Sequence, residues 1–499
     1  MTKEEEEFRQ LLKEISILDE LEQLLDWDSQ THNPEAAAEM RSDVVAYISK
    51  LSVDRQTSDK MAELLNKFSK NPDLLSEDGK KIYRRVNREF NIQRKIPNDD
   101  AAEYSKLLSK AQAVWVKARR AKDFNIFKPY LKQIIDFNKK FIGLWKTTEQ
   151  TNYDVLLNHF EPGMTVAKLD PIFATLKQAI KTLMNKLKTG IEPNDQFMHR
   201  YVSKVTQEKI SRDFITRLSF NYEQGDLDIS EHPFTLGLNR NDARITTRYD
   251  VHDFQMSLLG TIHEAGHAIY EQNVDPKWAR TTLSGGTSMG IHESQSLFNE
   301  IMIGRNYYYW IKEYPRLREL TGETFSDIDF ETFYRGFNTV HPSLIRTEAD
   351  PITYILHIIV RYEIEKAIFN DDISLDNLNQ IWNEKYEEYL GICPQNDTEG
   401  ILQDIHWAGG DIGYFPSYAL GHLYAAQFLH AMKQDFDVDK ALAEGNINLI
   451  TDWRKDNIFQ YGCSKDPNEI LMDATGEELN PDYWIQHQNE VYKYVYQLN

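Results

Sequence analysis

The sequence predicts a mainly α-helical protein with a minor β-sheet, on three observations: sparse turn formers, apolar residues at helical spacing, and few strand signals. Among 499 residues there are 23 glycines and 16 prolines, well below the roughly 12% of average combined usage, which favours long helices over turn-rich β structure. Helical periodicity is visible at once. Phe8, Leu11, Leu12, Ile15, Leu18, Leu21 and Leu25 fall at three- and four-residue steps and mark one apolar stripe. A second helix is expected from Asp170 as N-cap with Pro171 at the first helical position, its stripe running through Ile172, Leu176, Ile180, Leu183 and Leu187 to a stop at Gly190. Strand signals are confined to the alternation Leu218, Phe220, Tyr222 before the turn-like Gly225-Asp226 and to the short β-branched run from Ile245 to Tyr249. These place a small sheet just ahead of residues 263–267. No repeat, low-complexity tract or linker stands out, so one large domain over 1–499 is expected.

Composition narrows the function classes. A chain with 41% hydrophobic residues has material for a large core without disulfides. Its net charge of -21 argues against nucleic acid, because phosphate neutralisation needs a basic face. Cys393 and Cys463 are the two cysteines and form no CxxC pattern. A disulfide framework or a thiolate metal site is therefore not expected, and a reducing compartment is. The N-terminus MTKEEEEFRQ is acidic where a signal peptide would be basic and then apolar, and no apolar stretch is long enough to span a bilayer. A cytoplasmic protein without membrane partners follows as the expectation.

Residues 263–267 read HEAGH. Four residues advance a helix by about 400°, so His263 and His267 share one face, one turn apart, and are able to ligate one ion. Glu264 lies about 100° round, beside the ion, where it can act on a water. Neutral imidazole suits zinc, and a catalytic site takes three protein ligands and keeps one position open. With 14 histidines, a chance HExxH has a probability of roughly a few per cent, so the setting matters. Leu258, Leu259, Ile262, Ala265 and Ile269 supply an apolar face for a buried helix, and Ala265-Gly266 permits close approach. These features point to a zinc-dependent peptidase. Tyr270 and Asn273 stand where a metzincin extension would need Gly and His; a glutamate from a following helix is the other common solution. Spacing alone does not choose between Glu271, Glu293 and Glu300.

Further motifs carry a resemblance. LLDWDSQT at 24–31, HPF at 232–234, DARIT at 242–246, HEAGH, GIHESQS, IRTEADPITYILHIIVRYEIE at 345–365 and GILQDIHWAGGDIGYFPSYALG at 400–421 together resemble the carboxypeptidase Taq family of metallocarboxypeptidases. The resemblance implies that His263, His267 and Glu293 bind zinc, with cobalt a possible substitute, and that Glu264 is the general base. It implies further that Asp242, Arg244 and Thr246 belong to a wall closing the substrate groove. Arg346 would hold the substrate's terminal carboxylate, while His406, Tyr414 and Tyr418 line the reaction centre. The implied fold is a helical two-lobed body with a deep groove, shared distantly with angiotensin-converting enzyme and the neurolysin-like oligopeptidases. Helices from roughly 1–160 would form part of the groove wall, with the metal site within 232–421. The implied assembly is a homodimer, and the implied substrates are peptides with a free C-terminus.

The chemistry of each type fits these roles. Arginine meets a carboxylate bidentately, which makes Arg346 and Arg244 the candidates for exopeptidase specificity. Tyr418 and His406 are the first choices for oxyanion donors, with Tyr414 in reserve. His232 is a candidate for a hydrogen bond to the substrate backbone. An endo-acting zinc oligopeptidase with the same site is the competing enzyme. A helical binding protein with a structural zinc is the competing class, and it would leave Glu264 without a task.

Overall fold

Local capping sets the ends of several helices in the computed structural model, which describes residues 1–498. The first helix, Lys3–Thr31, starts where the Thr2 side chain accepts from the Glu5 N–H, and Glu4, Glu5 and Glu6 place negative charge at its N-terminus. Phe8, Leu12 and Ile15 of the expected stripe are buried. Farther along, the buried position becomes Trp27, which packs edge-on against Phe234 at 5.6 Å, while Leu21 is exposed.

The protein is mainly helical, with one three-stranded sheet among the described residues. Strands β1 (Leu227–Ile229), β2 (Thr235–Asn239) and β3 (Asp242–Thr247) take the order β1-β3-β2. β1 runs parallel to β3 and β2 antiparallel to it, with an irregularity between Gly237 and Asn239. The alternation Leu218, Phe220, Tyr222 is not a strand. Helix Lys204–Arg217 ends there, and the Leu218 N–H still donates to the Phe214 carbonyl. Ser219 then turns the chain at φ 76°, so Phe220 reaches the core from a helix exit and Tyr222 packs on its ring at 4.9 Å.

The helix expected from Asp170 begins a turn earlier and spans Val166–Leu187. Thr165 caps it through the Lys168 N–H, and Asp154 Oδ1 accepts from the Val166 N–H at 2.7 Å. Pro171 lies inside the helix. Asp170 is engaged elsewhere, accepting from the Tyr362 hydroxyl at 2.8 Å and from Lys366 at 2.6 Å. Leu176, Ile180, Leu183 and Leu187 are buried as the period requires.

The chain divides into two compact units. One comprises residues 1–94, 194–337 and 427–478; the other comprises 95–193, 338–426 and the residues from 479 onward. Helix Phe254–Asn273, which carries HEAGH, belongs to the first unit with the sheet. Leu258, Leu259, Ile262, Ala265 and Ile269 are all buried, each large one contributing about 1.5–3 kcal/mol of burial. No described helix is long and apolar enough to cross a membrane.

Candidate metal centre and active site

Two helices of the first unit build the candidate metal cluster. His263 and His267 project from Phe254–Asn273 with ring centroids 5.1 Å apart. Glu293 comes from helix Met289–Leu297. Gly266 lets the two helices approach, because a Cβ there would collide with the Gln295 carbonyl and the Ser296 Cα. The Glu293 carboxylate oxygens lie 3.9 Å from His263 Nε2 and 3.5 Å from His267 Nε2. One donor atom from each of these three residues falls within 4.8 Å of the others.

The other ring nitrogens are engaged elsewhere. His263 Nδ1 lies 2.8 Å from Glu300 Oε2. Glu300 sits on the π-helical turn Phe298–Ile303 that continues the Glu293 helix, and such turns recur at functional sites. His267 Nδ1 lies 2.6 Å from His292 Nδ1. Both Nε2 atoms therefore face Glu293. Burial opposes a charge on His263, but Glu293, Glu300 and Glu264 outweigh it and push its pKa up to about 10. Burial lowers that of His267, against Glu293, with His292 and His263 adding to the lowering. This carboxylate-rich donor set attracts a cation, and its two nitrogens and one carboxylate match the ligand types of a catalytic zinc site.

Glu264 is buried beside this cluster. The Thr235 hydroxyl lies 2.6 Å from its Oε2 and 3.0 Å from its backbone carbonyl. Thr235 begins β2 directly after HPF, and sequence reasoning passed over it. Of the three candidate glutamates, the structure brings Glu293 to both imidazoles and Glu300 to one. Glu271 instead accepts from His292 at 2.7 Å.

In the same unit, Arg244 on β3 pairs with both oxygens of Asp242 at 2.8 Å and stacks over Trp27 at 5.6 Å. Trp27, Asp28, Tyr222, Asp226, Asp242 and Arg244 help line a cavity of about 780 Å³. His232 is exposed, and its carbonyl accepts from the Ser230 hydroxyl at 2.6 Å.

The second unit gathers the remaining candidates. Arg346 is buried, donating from Nε to Asp404 Oδ1 at 3.0 Å and from Nη1 to the Tyr354 hydroxyl at 2.7 Å. Its guanidinium lies over the Tyr418 ring at 4.8 Å. Arg361 takes the other Asp404 oxygen, with Nε at 2.7 Å. Burial would raise the Asp404 pKa, but the two guanidiniums hold it well below the usual carboxylate range. His406 Nε2 lies 3.1 Å from the Tyr418 hydroxyl, and its buried Nδ1 has no hydrogen-bond partner in the protein. Burial, opposed by Asp404 and reinforced by Arg346 and Arg361, lowers the His406 pKa to about 4, so the ring is neutral near pH 7. Tyr414 completes the cluster, 5.5 Å from His406 and 5.1 Å from Tyr418 between ring centroids. The loop is anchored by Glu365, which accepts from Trp407 Nε1 at 2.7 Å, the Gly413 N–H at 2.9 Å and the Tyr153 hydroxyl at 2.6 Å. Tyr354 lies within the 345–365 segment and Asp404 within the 400–421 segment, but their pairing with Arg346 carries no local signal.

Comparison with known proteins identifies the family. The family model for the carboxypeptidase Taq (M32) metallopeptidases matches residues 7–492. Carboxypeptidase 1 of Bacillus subtilis is 47% identical over 496 residues, covering 99% of each chain. Thermostable carboxypeptidase 1 of Thermus thermophilus is 34% identical over 97% of each. The solved structure of an M32 carboxypeptidase from Deinococcus radiodurans R1 superimposes with a TM-score of 0.96 at 30% identity, covering 99% of this chain and 100% of that one. The chain is an enzyme, and it belongs to the carboxypeptidase Taq (M32) family of metallocarboxypeptidases.

Proposed function

We propose that the chain is a zinc-dependent metallocarboxypeptidase that releases C-terminal residues from peptides, with Glu264 as general base. The observation that carries this reading is the convergence of His263, His267 and Glu293 donor atoms within 4.8 Å, with Glu264 set beside them by Thr235.

His263 and His267 would hold the metal through Nε2 and Glu293 through its carboxylate, leaving a position for a further ligand. Bound there, zinc supplies Lewis acidity, bringing the pKa of a water from about 15.7 towards about 7 and polarising a carbonyl; cobalt is a possible substitute. Glu264 takes the proton of the attacking water and delivers it to the leaving amine. The Thr235 hydroxyl occupies Glu264 Oε2, which leaves Oε1 for the water. His406, neutral near pH 7, and Tyr418 are the oxyanion donors, with Tyr414 in reserve; removing one such donor costs roughly 3 kcal/mol. Arg346 receives the terminal carboxylate. Its guanidinium is already fixed by Asp404 and Tyr354, so it is preorganised and retains N–H groups on both terminal nitrogens. Arg244 and His232 are assigned to peptide contacts. Unpaired Cys393 and Cys463 support a reducing, cytoplasmic setting. The net charge of -21 supports peptides over nucleic acid. A homodimer is part of the reading by family resemblance, and sedimentation at the monomer mass would count against it.

The test is mass spectrometry of a peptide mixture incubated with the zinc-loaded protein. Ladders shortened from free C-termini, with amidated peptides untrimmed, are expected. Internal cleavage of amidated peptides would instead mark an endo-acting oligopeptidase. Glu264→Gln should keep stoichiometric zinc and lose turnover by several orders of magnitude, and substantial remaining activity would remove Glu264 from its role.

A further inference from the structure

The two histidines of HEAGH are supported differently. His263 meets a carboxylate directly, Glu300 at 2.8 Å. His267 meets a second imidazole: its Nδ1 lies 2.6 Å from His292 Nδ1, and His292 Nε2 lies 2.7 Å from Glu271 Oε1. The Gly286 N–H donates to the same Glu271 oxygen at 3.3 Å.

Proton counting fixes the direction of this chain. If His267 offers its Nε2 lone pair to a metal, its proton must sit on Nδ1 and donate to His292 Nδ1. The neutral His292 ring then carries its proton on Nε2 and donates to the Glu271 carboxylate. This arrangement keeps both rings neutral and satisfies every nitrogen.

The surroundings hold the rings in these places. The His292 ring lies 4.7 Å from that of His267 and 5.3 Å from that of Tyr270. A Cβ on Gly286 would collide with His292 Cδ2 and come within 2.9 Å of Tyr270 Cε1. On the far side, a Cβ on Gly237 would come within 2.9 Å of Glu271 Cγ. Glu271 lies one turn beyond His267 on the same helix. Its carboxylate is buried, and it reaches that histidine through His292.

We infer that His292 and Glu271 form a relay that fixes the tautomer of His267 and passes carboxylate character to it, as Glu300 does directly for His263. Both are positioning residues, and the inference rests on His267 being a metal ligand. Groups that orient a ligating histidine in this way typically govern metal affinity by about 10- to 100-fold.

The test is zinc affinity of the full chain, measured by competition with a chromophoric chelator, with the melting temperature of the metal-free protein as a folding control. His292→Ala should weaken zinc binding about 10- to 100-fold. Glu271→Gln should weaken it less, because the shape and acceptor survive while the charge is lost. The double variant should match His292→Ala alone, since Glu271 acts through His292. His292→Gln should recover much of the loss, its amide oxygen accepting from His267 Nδ1 and its amide nitrogen donating to Glu271. Parent-level affinity in His292→Ala, or additive losses in the double variant, would overturn the relay. Should His292→Ala not fold, Glu271→Gln decides alone, and unchanged affinity there overturns it. His267→Ala separates the two levels of the argument. Stoichiometric zinc in that variant would refute the metal reading itself, whereas lost zinc there with parent-level binding in His292→Ala would refute the relay alone.

Discussion

Replacing Arg346 by alanine should separate recognition of the C-terminus from the chemistry at the metal. A terminal carboxylate paired with a buried guanidinium loses about 2–5 kcal/mol when the arginine is truncated. At about 1.4 kcal/mol per decade, kcat/KM for free-acid peptides should fall by about 30- to several-thousand-fold. The structure sets the side effects. Arg346 holds one oxygen of Asp404 and Arg361 the other, at 2.7 Å. Asp404 therefore stays ionised and partnered in the variant. The cost to stability should fall below the roughly 3–5 kcal/mol of a stranded buried charge. Zinc content should be unchanged, because Arg346 and the HEAGH helix belong to different units. Arg346→Lys should recover only part of the activity, since a point charge does not reproduce the fork. The assay is kcat/KM on matched free-acid and amidated peptides, with zinc content and melting temperature measured on the same preparations. The penalty should nearly vanish on amidated peptides, which are poor substrates for the parent. An equal loss on both forms would refute the reasoning and pass the role to Arg244.

Three further perturbations probe individual contacts. In Gly266→Ala the new Cβ meets the Gln295 carbonyl and Ser296 Cα, backbone that cannot step aside. Overpacking of about 1–3 kcal/mol should lower the melting temperature and zinc affinity together; if neither moves, this close approach does not set Glu293. Thr235→Val removes a 2.6 Å hydrogen bond to Glu264, and bonds to charged groups are worth about 1.5–3 kcal/mol. A loss in kcat of about 10- to 100-fold is expected with zinc retained and with recovery in Thr235→Ser; parent-level kcat would free Glu264 from this dependence. His406 should make stability depend on pH. Its pKa is about 4 folded against 6.5 unfolded, so between these values the unfolded chain binds more protons and stability rises with pH. Urea midpoints measured at pH 4.5 and pH 7 should differ less in His406→Gln than in the parent. Equal slopes would show that this ring is not held neutral.

Much of the metal helix is legible in the sequence because its information is local. The 3.6-residue period puts His263 and His267 on one face, sets Glu264 aside, and buries Leu258, Leu259, Ile262 and Ile269. Small residues at Ala265-Gly266 announce the close approach that the structure uses against Gln295 and Ser296. Local reading fails where a neighbour intervenes. Leu218, Phe220 and Tyr222 alternate like a strand but leave a helix through a left-handed turn at Ser219. The helix near Asp170 starts at Val166 because Thr165 and the distant Asp154 cap it first.

The roles of the three glutamates mark the boundary most clearly. Sequence spacing leaves Glu271, Glu293 and Glu300 equivalent, and family resemblance alone favours Glu293. The tertiary structure separates them: Glu293 faces both Nε2 atoms, Glu300 binds the back of His263, and Glu271 is diverted to His292. Arg346 is similar, for its motif suggests a task while the fold supplies Asp404 and Tyr354 as the partners that immobilise it. By itself the sequence determined the helical class, the shared face of His263 and His267 and the family. Only the tertiary structure decided which carboxylate meets which imidazole, because periodicity reports backbone geometry within one element, whereas contacts between elements depend on how their side chains pack.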